Sequence, residues 1–479
     1  MRAVGVEILR LPVPAPPRDA DGRVALDAIV HGLRPCDLLE TAGPTAGWSY
    51  VAIHDGPVLR DDGRRTVLDH GGGRREDLGT DPFAALDEVC ERLGVVPDAP
   101  VDHEGPPLTG GLLGAFSYDL AQRVEALPDL ARRDRGTAHL YLRQVDLVVA
   151  ICPDRERVWV VGRDLGGRGD LAARASRLAA RVRAAAPARP VPRPLDGSAT
   201  TTSLPRSDYL RAVTSALEAI AAGGAFQVNL SQRLTARWGA TTHELYRGLR
   251  AHSPAHFGAS LPAVGIASIS PETFLAVDGR TVLTRPIKGT RPRASDPELD
   301  AAHADDLATS AKDRAENVMV VDLERNDLGR VCETGSVHVP HLCDLEAHPT
   351  VWHLVSTVAG RLRDDVGYGD LLRATFPCGS ITGAPKVAAM ELIEQLEPVR
   401  RGWYCGAVGY LSPGHARFSV AIRTAVLHRD GTVDYGAGGG IVADSDPDAE
   451  HRESLDKATA FLRTVGAPGV DDRLVGEER

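Results

Sequence analysis

Lysine is almost missing from this chain. Of 55 lysines and arginines in 479 residues, only Lys288, Lys312, Lys386 and Lys457 are lysine, and the other 51 are arginine. No stretch of 18 apolar residues occurs, so no spanning helix is expected. The N-terminus "MRAVGVEILRLPVPAPP" lacks the apolar run and small-residue cleavage site of a signal peptide. The seven cysteines are odd in number, scattered, and never arranged as CxxC. That excludes a disulfide framework and fits a reducing, cytoplasmic setting. No long basic stripe accompanies the net charge of −10, so nucleic acid is not an expected partner. No G-x-S-x-G elbow is present. "GSITGAPK" is not a P-loop, and "YGAGGGIVADS" is not a dinucleotide fingerprint, because Ile441 stands where glycine is required. The histidines of "SVHVPHLCDLEAHPTVWH" match no zinc spacing.

What is present is a soluble globular composition, 43% hydrophobic and 25% charged, with enough length for one large or two ordinary domains. The Pro-, Ala- and Ser/Thr-rich run at 186–205 reads as a linker. It separates an N-terminal region, 1–185, from a C-terminal region, 206–465, and 466–479 reads as a polar tail. "WSYVAIHDGPVLRDDGRRTVL" alternates about Asp-Gly turns and predicts antiparallel strands. "LYLRQVDLVVAICPDRERVWVVGRD" predicts a hairpin. "DPFAALDEVCERLG" and "DLAARASRLAARVRAAA" have helical period. "SDYLRAVTSALEAIAAGG" predicts a helix capped by Ser207 and stopped at Gly223, followed by a strand in "AFQVNLSQRLTA". "DLATSAKDRAENVMVVDLERNDL" predicts one long, largely buried helix, and "DPDAEHRESLDKATAFLRTV" another. Strands and helices alternate irregularly, which predicts an α+β fold with large antiparallel sheets and argues against a doubly wound one.

In a chain that fills its surface with arginine, each lysine is a candidate for chemistry, because only lysine can shed its proton and act as nucleophile or base. Glu450, Glu453 and Lys457 share one helical face, and two carboxylates a turn apart suit a hard cation such as Mg²⁺. Lys312, Asp313 and Glu316 form a second charged patch. Both patches are also explained by simple i,i+4 ion pairs. The glycines of "YGAGGGIVADS" and "GSITGAPK" bare backbone N–H groups, as an anion cradle requires.

Taken together, "FQVNLSQRL", "SISPETF", "RPIKGTRPR", "AENVMVVDLERNDLGRV", "HPTVWHLVSTVAGRL", "FPCGSITGAPKVAAMELIEQLE", "RGWYCGAVGY", "IRTAV" and "GAGGGIVADSDPDAEHRESLDKA" resemble the chorismate-utilising enzymes. That family comprises component I of anthranilate and aminodeoxychorismate synthases, with the isochorismate and salicylate synthases. "LLETA" and "GGLLGAFSYDLAQRVEALP" resemble its N-terminal region. The resemblance implies a large two-sheet antiparallel sandwich, like that of anthranilate synthase component I, with its site in a cleft. It implies Mg²⁺ held by Glu316 and Glu453 with Glu450 beside them, and Glu272 as general acid. His353 is implied as the active-site histidine. Thr290, Tyr404, Arg423, Gly438, Gly439 and Lys457 would bind the substrate's carboxylates, with Gly289 and the Ser380 cradle beside them.

Two positions discriminate within the family. The water-using members carry a lysine base where Gln227 stands, so a neutral amide implies amination by ammonia. Anthranilate synthases typically read "PIAGT", whereas aminodeoxychorismate synthases often read "PIKGT", where the lysine is thought to attack C2 before ammonia adds at C4. Lys288 therefore implies the aminating subunit of an aminodeoxychorismate synthase, served by a separate glutamine amidotransferase. The alternatives are an anthranilate synthase component I that carries Lys288, and an inactive regulatory homologue, against which the intact acidic pair argues. "LLETA" also resembles the segment where relatives bind tryptophan, as inhibitor or fixed structural ligand, which marks Leu39, Glu40 and Thr41. Cys378 departs from the usual glycine of "FPGGS", Gly224 from aspartate, and Ala294 from glycine.

Overall fold

The structure, a computed structural model, describes residues 8–467 apart from 20–21, 43–46, 101–104, 188–199 and 349. Two twelve-stranded sheets lie face to face. The first runs Leu9–Pro12, Val158–Gly162, Leu147–Ile151, Ser49–Ile53, Cys36–Thr41, Phe257–Leu261, Ile266–Ser270, Thr424–Leu427, Thr432–Ile441, Gln227–Arg237 and Thr201–Thr202, with Gly383–Ala384 also paired to Gln227–Arg237. The second runs Ile287–Pro292, Val351–Arg361, Thr281–Arg285, Thr273–Asp278, His415–Val420, Ala407–Ser412, Gly111–Phe116, Leu140–Val145, Val58–Asp61, Thr66–Asp69 and Arg75–Asp77, with His338–Ala347 on Val351–Arg361. Neighbouring strands in both sheets pair antiparallel. The expected α+β two-sheet sandwich is the observed one.

Strand periodicity builds the layers. In Leu147–Ile151 the side chains of Leu147, Val149 and Ile151 enter one apolar cluster, and those of Val148 and Ala150 enter another. Leu140 and Leu142 likewise pack on one side of their strand and Tyr141 on the other. This is the two-residue alternation of a sheet covered on both faces. The cluster that takes Tyr50, Val148 and Ala259 from the first sheet also takes Leu113, Tyr141 and Val408 from the second, so it is the seam between them. Helices close the outer faces, among them Pro82–Leu93, which the Asp81 carboxylate caps at the N–H groups of Phe83 and Ala84 and Gly94 ends at φ 64°.

Both chain regions supply both sheets. Cys36–Thr41 pairs with Phe257–Leu261, and Gly111–Phe116 with Ala407–Ser412. The predicted hairpin at 140–164 is split. Leu147–Ile151 and Val158–Gly162 form a hairpin in the first sheet, but Leu140–Val145 belongs to the second. The chain crosses between sheets at Asp146, which is fully buried and held by Arg168 and Arg174.

Three local expectations are corrected. The long helix is two, Pro297–Thr309 and Ala311–Gly329, because Ser310 turns extended and its hydroxyl accepts from the Asp313 N–H as an N-cap. The last helix breaks at Ala458 into Pro447–Lys457 and Thr459–Val465, and the Lys457 carbonyl accepts instead from the Tyr435 hydroxyl. Ser207 lies inside helix Arg206–Ala221, whose N-cap position is Pro205. Within the expected linker, Thr201–Thr202 forms an edge strand, and 188–199 lies outside the described residues.

Candidate active site

The site gathers at the ends of strands from both sheets and at two helices. Glu272 follows strand Ile266–Ser270 and is buried. The Ile287 N–H donates to its Oε1 at 3.4 Å, and the Ser380 hydroxyl bonds its carboxylate. Burial pushes its pKa up to about 7, against the opposing pull of Ser380, Lys288 and Lys457. At neutral pH it carries a proton for much of the time.

Lys288 lies on Ile287–Pro292, where the pairing with Val351–Arg361 shifts register between Ile287 and Thr290. The bulge leaves the side chain beside Glu316 and Glu272. Desolvation holds its ammonium below the usual lysine range, while Glu316 and Glu272 oppose that shift. Gly289 has φ +82°, and a Cβ there would lie 2.7 Å from Leu307 Cδ1 and 3.0 Å from Asp313 Cβ. Only glycine lets the strand pass that close to both helices.

Thr290 sits opposite His353 across the strand pair, with Oγ1 3.0 Å from Nδ1. Burial, then Arg423 and His348, push the His353 pKa down to about 3, so the ring is neutral. Arg423 holds φ +50°, a left-handed conformation that costs an arginine energy and aims it from the start of strand Thr424–Leu427.

Around Gly439 three side chains converge. A Cβ there would lie 3.1 Å from Glu450 Oε2, 3.6 Å from Glu453 Oε1 and 3.7 Å from Lys457 Nζ. Lys457 also donates to the Gly438 carbonyl at 2.9 Å and pairs with Glu453 at 2.8 Å. Gly438 is obligatory for the strand itself, because a Cβ would lie 2.1 Å from the Leu230 carbonyl oxygen. Gln227 is fully buried beside Gly440, and neither its amide oxygen nor its nitrogen has a protein partner.

Glu316 reaches toward the same end from helix Ala311–Gly329. Burial raises its pKa, with Glu453 adding to the rise against Lys288 and Lys312. Burial and Glu453 likewise raise Glu450. Three mutually repelling carboxylates, balanced by Lys288, Lys312 and Lys457, are a donor set that suits a hard oxygen-seeking dication. Among the described residues, no three His, Cys, Asp or Glu side chains are drawn together as tightly as a preformed metal centre requires. Carboxylate oxygens are nonetheless the donor type that Mg²⁺ takes.

Tyr404 packs against Gly436 and borders a cavity of about 530 Å³ whose Arg135, Arg233 and Arg401 are taken up by Asp434, Asp134 and Glu397. Leu39, Glu40 and Thr41 line a separate cavity of about 320 Å³ with Trp48, Tyr50 and Phe257. The buried Glu40 carboxylate there is held by Arg155, Arg250 and Tyr246.

Sequence reasoning missed Glu324 and Arg401. Helix Ala311–Gly329 buries Asn317, Val320, Val321, Glu324, Asp327 and Leu328, and leaves Val318 exposed. It is not the largely buried helix expected from "VMVVDL", since the polar residues turn inward where the apolar run led elsewhere. Arg401 donates to the carbonyls of Ile381 and Asn229, and so ties the Ser380 turn to strand Gln227–Arg237. The one available signal was position: Glu324 falls one helical turn from Val320 and Val321 on the same face.

A buried acid, a desolvated amine and a carboxylate cluster around a glycine cradle, brought together from both sheets, suit an enzyme for a small anionic substrate. Residues 66–463 match the family model described as chorismate binding enzyme, and the chain belongs to that family. It is 39% identical over 406 residues to aminodeoxychorismate synthase component 1 of Escherichia coli strain K12, covering 84% of this chain and 86% of that protein. It is 40% identical over 426 residues to anthranilate synthase component 1 of Streptomyces coelicolor, covering 85% and 82%. The solved anthranilate synthase component I from Streptococcus pneumoniae TIGR4 superposes with a TM-score of 0.75 at 29% identity, covering 88% of this chain and 93% of that one. Among the described residues, no helix is long and apolar enough to cross a membrane.

Proposed function

We propose that this chorismate-utilising enzyme is the aminating subunit of an aminodeoxychorismate synthase, converting chorismate and ammonia to 4-amino-4-deoxychorismate. The observation that carries the reading is Lys288. It is a lysine in an arginine chain, desolvated and set electrostatically between Glu272 and Glu316.

Arg423 and Lys457 bind the carboxylates of the dianionic substrate. The glycine cradle at Gly438 and Gly439 lets it approach the backbone. Thr290 is oriented by its bond to neutral His353. The neutral Lys288 amine attacks C2. The ring double bonds shift, the C4–O bond breaks, and Glu272 gives its proton to the departing oxygen, releasing water. The Lys288 nitrogen keeps both protons as it bonds to carbon, so it becomes a secondary ammonium that can leave again as the neutral amine. Ammonia then adds at C4, the double bonds return, and the C2–N bond breaks to free Lys288. Gln227, a neutral amide, cannot deprotonate water, which favours amination over hydration. Glu316, Glu450 and Glu453 would hold Mg²⁺, which when bound supplies positive charge for the substrate carboxylate and the leaving hydroxyl. A separate glutamine amidotransferase would supply ammonia in the cell.

The second reading, an anthranilate synthase component I, is favoured by the 40% identity to such an enzyme. One experiment separates the two. The chain is incubated with chorismate, Mg²⁺ and an ammonium salt at alkaline pH, and the product is identified by mass and fluorescence. A product one mass unit below chorismate, without pyruvate, is expected. Fluorescent anthranilate with pyruvate would establish the second reading, and no Mg²⁺-dependent loss of chorismate would point to an inactive homologue.

A further inference from the structure

Helix Ala311–Gly329 buries two carboxylates that this reaction does not use. Asp327 is paired with Lys386. Glu324 has no cation of its own. It is fully buried, its Oε1 accepts from the Gly379 N–H at 2.9 Å and from the Cys378 thiol at 3.3 Å, and its Oε2 has no protein partner. A carboxylate so placed is costly as an anion. Burial, then the neighbouring Asp327, push its pKa up to about 7, against Lys386, Cys378 and Gly379.

Cys378 does not end there. Its sulfur lies 3.3 Å from Ser380 Oγ, and the Ser380 hydroxyl bonds Glu272. Glu324, Cys378, Ser380 and Glu272 thus stand in one hydrogen-bonded row, and all four are buried. The two middle groups can each donate and accept. The two end groups are carboxyls of closely similar proton affinity.

We propose that Glu324 is a positioning residue that keeps a proton in reserve for Glu272 and delivers it through the Cys378 thiol and the Ser380 hydroxyl. The inference rests on Glu272 acting as the acid in the reaction above. When Glu272 has given its proton to the departing oxygen, the thiol hydrogen turns from Glu324 to Ser380; Ser380 passes its hydroxyl proton to Glu272 as Cys378 passes its thiol proton to Ser380 and Glu324 passes its carboxyl proton to the sulfur. Only O–H and S–H bonds form and break, and the row ends with Glu324 as carboxylate. Glu324 regains its proton from solvent on the side of its neighbours Asp327 and Lys386, which border an open groove with Phe226 and Val387. The titratable groups facing Glu272 are Lys288, Lys457, Cys378 and Cys405; those facing Glu324 are Asp327, Lys386 and Cys378.

The test uses the full chain with chorismate, Mg²⁺ and ammonium, at pH values corrected for the free-ammonia fraction. Glu324→Gln and Cys378→Ala should each lower kcat about 10-fold at unchanged KM for chorismate, and should move the alkaline limb of kcat about one pH unit lower. Cys378→Ser restores a hydroxyl to the row and should stay within about twofold of the unsubstituted chain. Equal losses in Cys378→Ala and Cys378→Ser would overturn the relay, as would a Glu324→Gln profile identical to the unsubstituted one. Should Glu324→Gln fail to fold, the Cys378 pair decides alone. If the unsubstituted chain turns over no chorismate, the functional reading itself falls, and the relay with it.

Discussion

Replacing Glu272 with glutamine should make the protein a poorer enzyme and a more stable one, and the stability gain should depend on pH in a calculable way. The carboxyl has an ordinary pKa of 4.5 and is raised to about 7 in the folded chain. Because the folded value lies above the unfolded one, the folded state binds more protons than the unfolded state between those limits. Stability therefore falls as pH rises from about 4.5 to about 7 and then levels off. At about 1.36 kcal/mol per pH unit, the penalty is on the order of 3 kcal/mol at pH 8 and absent near pH 4. Glutamine keeps the shape, can accept from the Ile287 N–H, and has no charge to desolvate. With an unfolding entropy of about 2.1 cal/mol/K per residue, a gain of that size lifts the midpoint of a chain this long by roughly 3 °C. Thermal unfolding of both proteins at pH 8 and at pH 4.5 checks it, and chorismate turnover should fall about 10²- to 10⁴-fold in parallel. If the variant were less stable at pH 8, or its advantage the same at both pH values, the buried-acid reasoning would be wrong.

Lys288→Arg keeps the charge but not a deprotonable amine, so aminodeoxychorismate formation should drop by about 10²-fold or more, read by mass spectrometry of the product. Gly289→Ala must strain φ +82° and press on Leu307 and Asp313; a loss of about 1–3 kcal/mol is expected in denaturant unfolding, with weakened turnover because Lys288 is displaced. Asp146→Asn removes the carboxylate that Arg168 and Arg174 share where the chain crosses between sheets; a destabilisation of about 3 kcal/mol should appear as a lower unfolding midpoint.

Much of the site was legible because its residues sit in short contiguous motifs whose chemistry is local. The register that brings Thr290 to His353, and the glycines that admit Glu450 and Lys457, follow from strand and helix period once the partners are known. The partners themselves were not legible. Leu38 pairs with Ser260 and Leu112 with Leu411, across more of the chain than any local pattern reports. Ser310 read as an interior helix residue because serine is tolerated there; its cap became visible only with the extended backbone at that position. Glu324 stayed hidden for a related reason. Its helix buries Val320, Val321 and Leu328 on the face that also takes Asn317, Glu324 and Asp327, and a charged residue on such a face reads as solvent-exposed.

The interleaving of the two chain regions sets a timetable for synthesis. Strand Cys36–Thr41 is made early, yet one of its two neighbours is Phe257–Leu261; Gly111–Phe116 waits longer still, for Ala407–Ser412. Until those later strands emerge, the nascent chain holds bare sheet edges of the kind that recruit other chains. Strand Thr432–Ile441 also carries the glycine cradle and pairs along Gln227–Arg237. Among the described residues it is the last strand of either sheet, so a chain released before it is made keeps open edges.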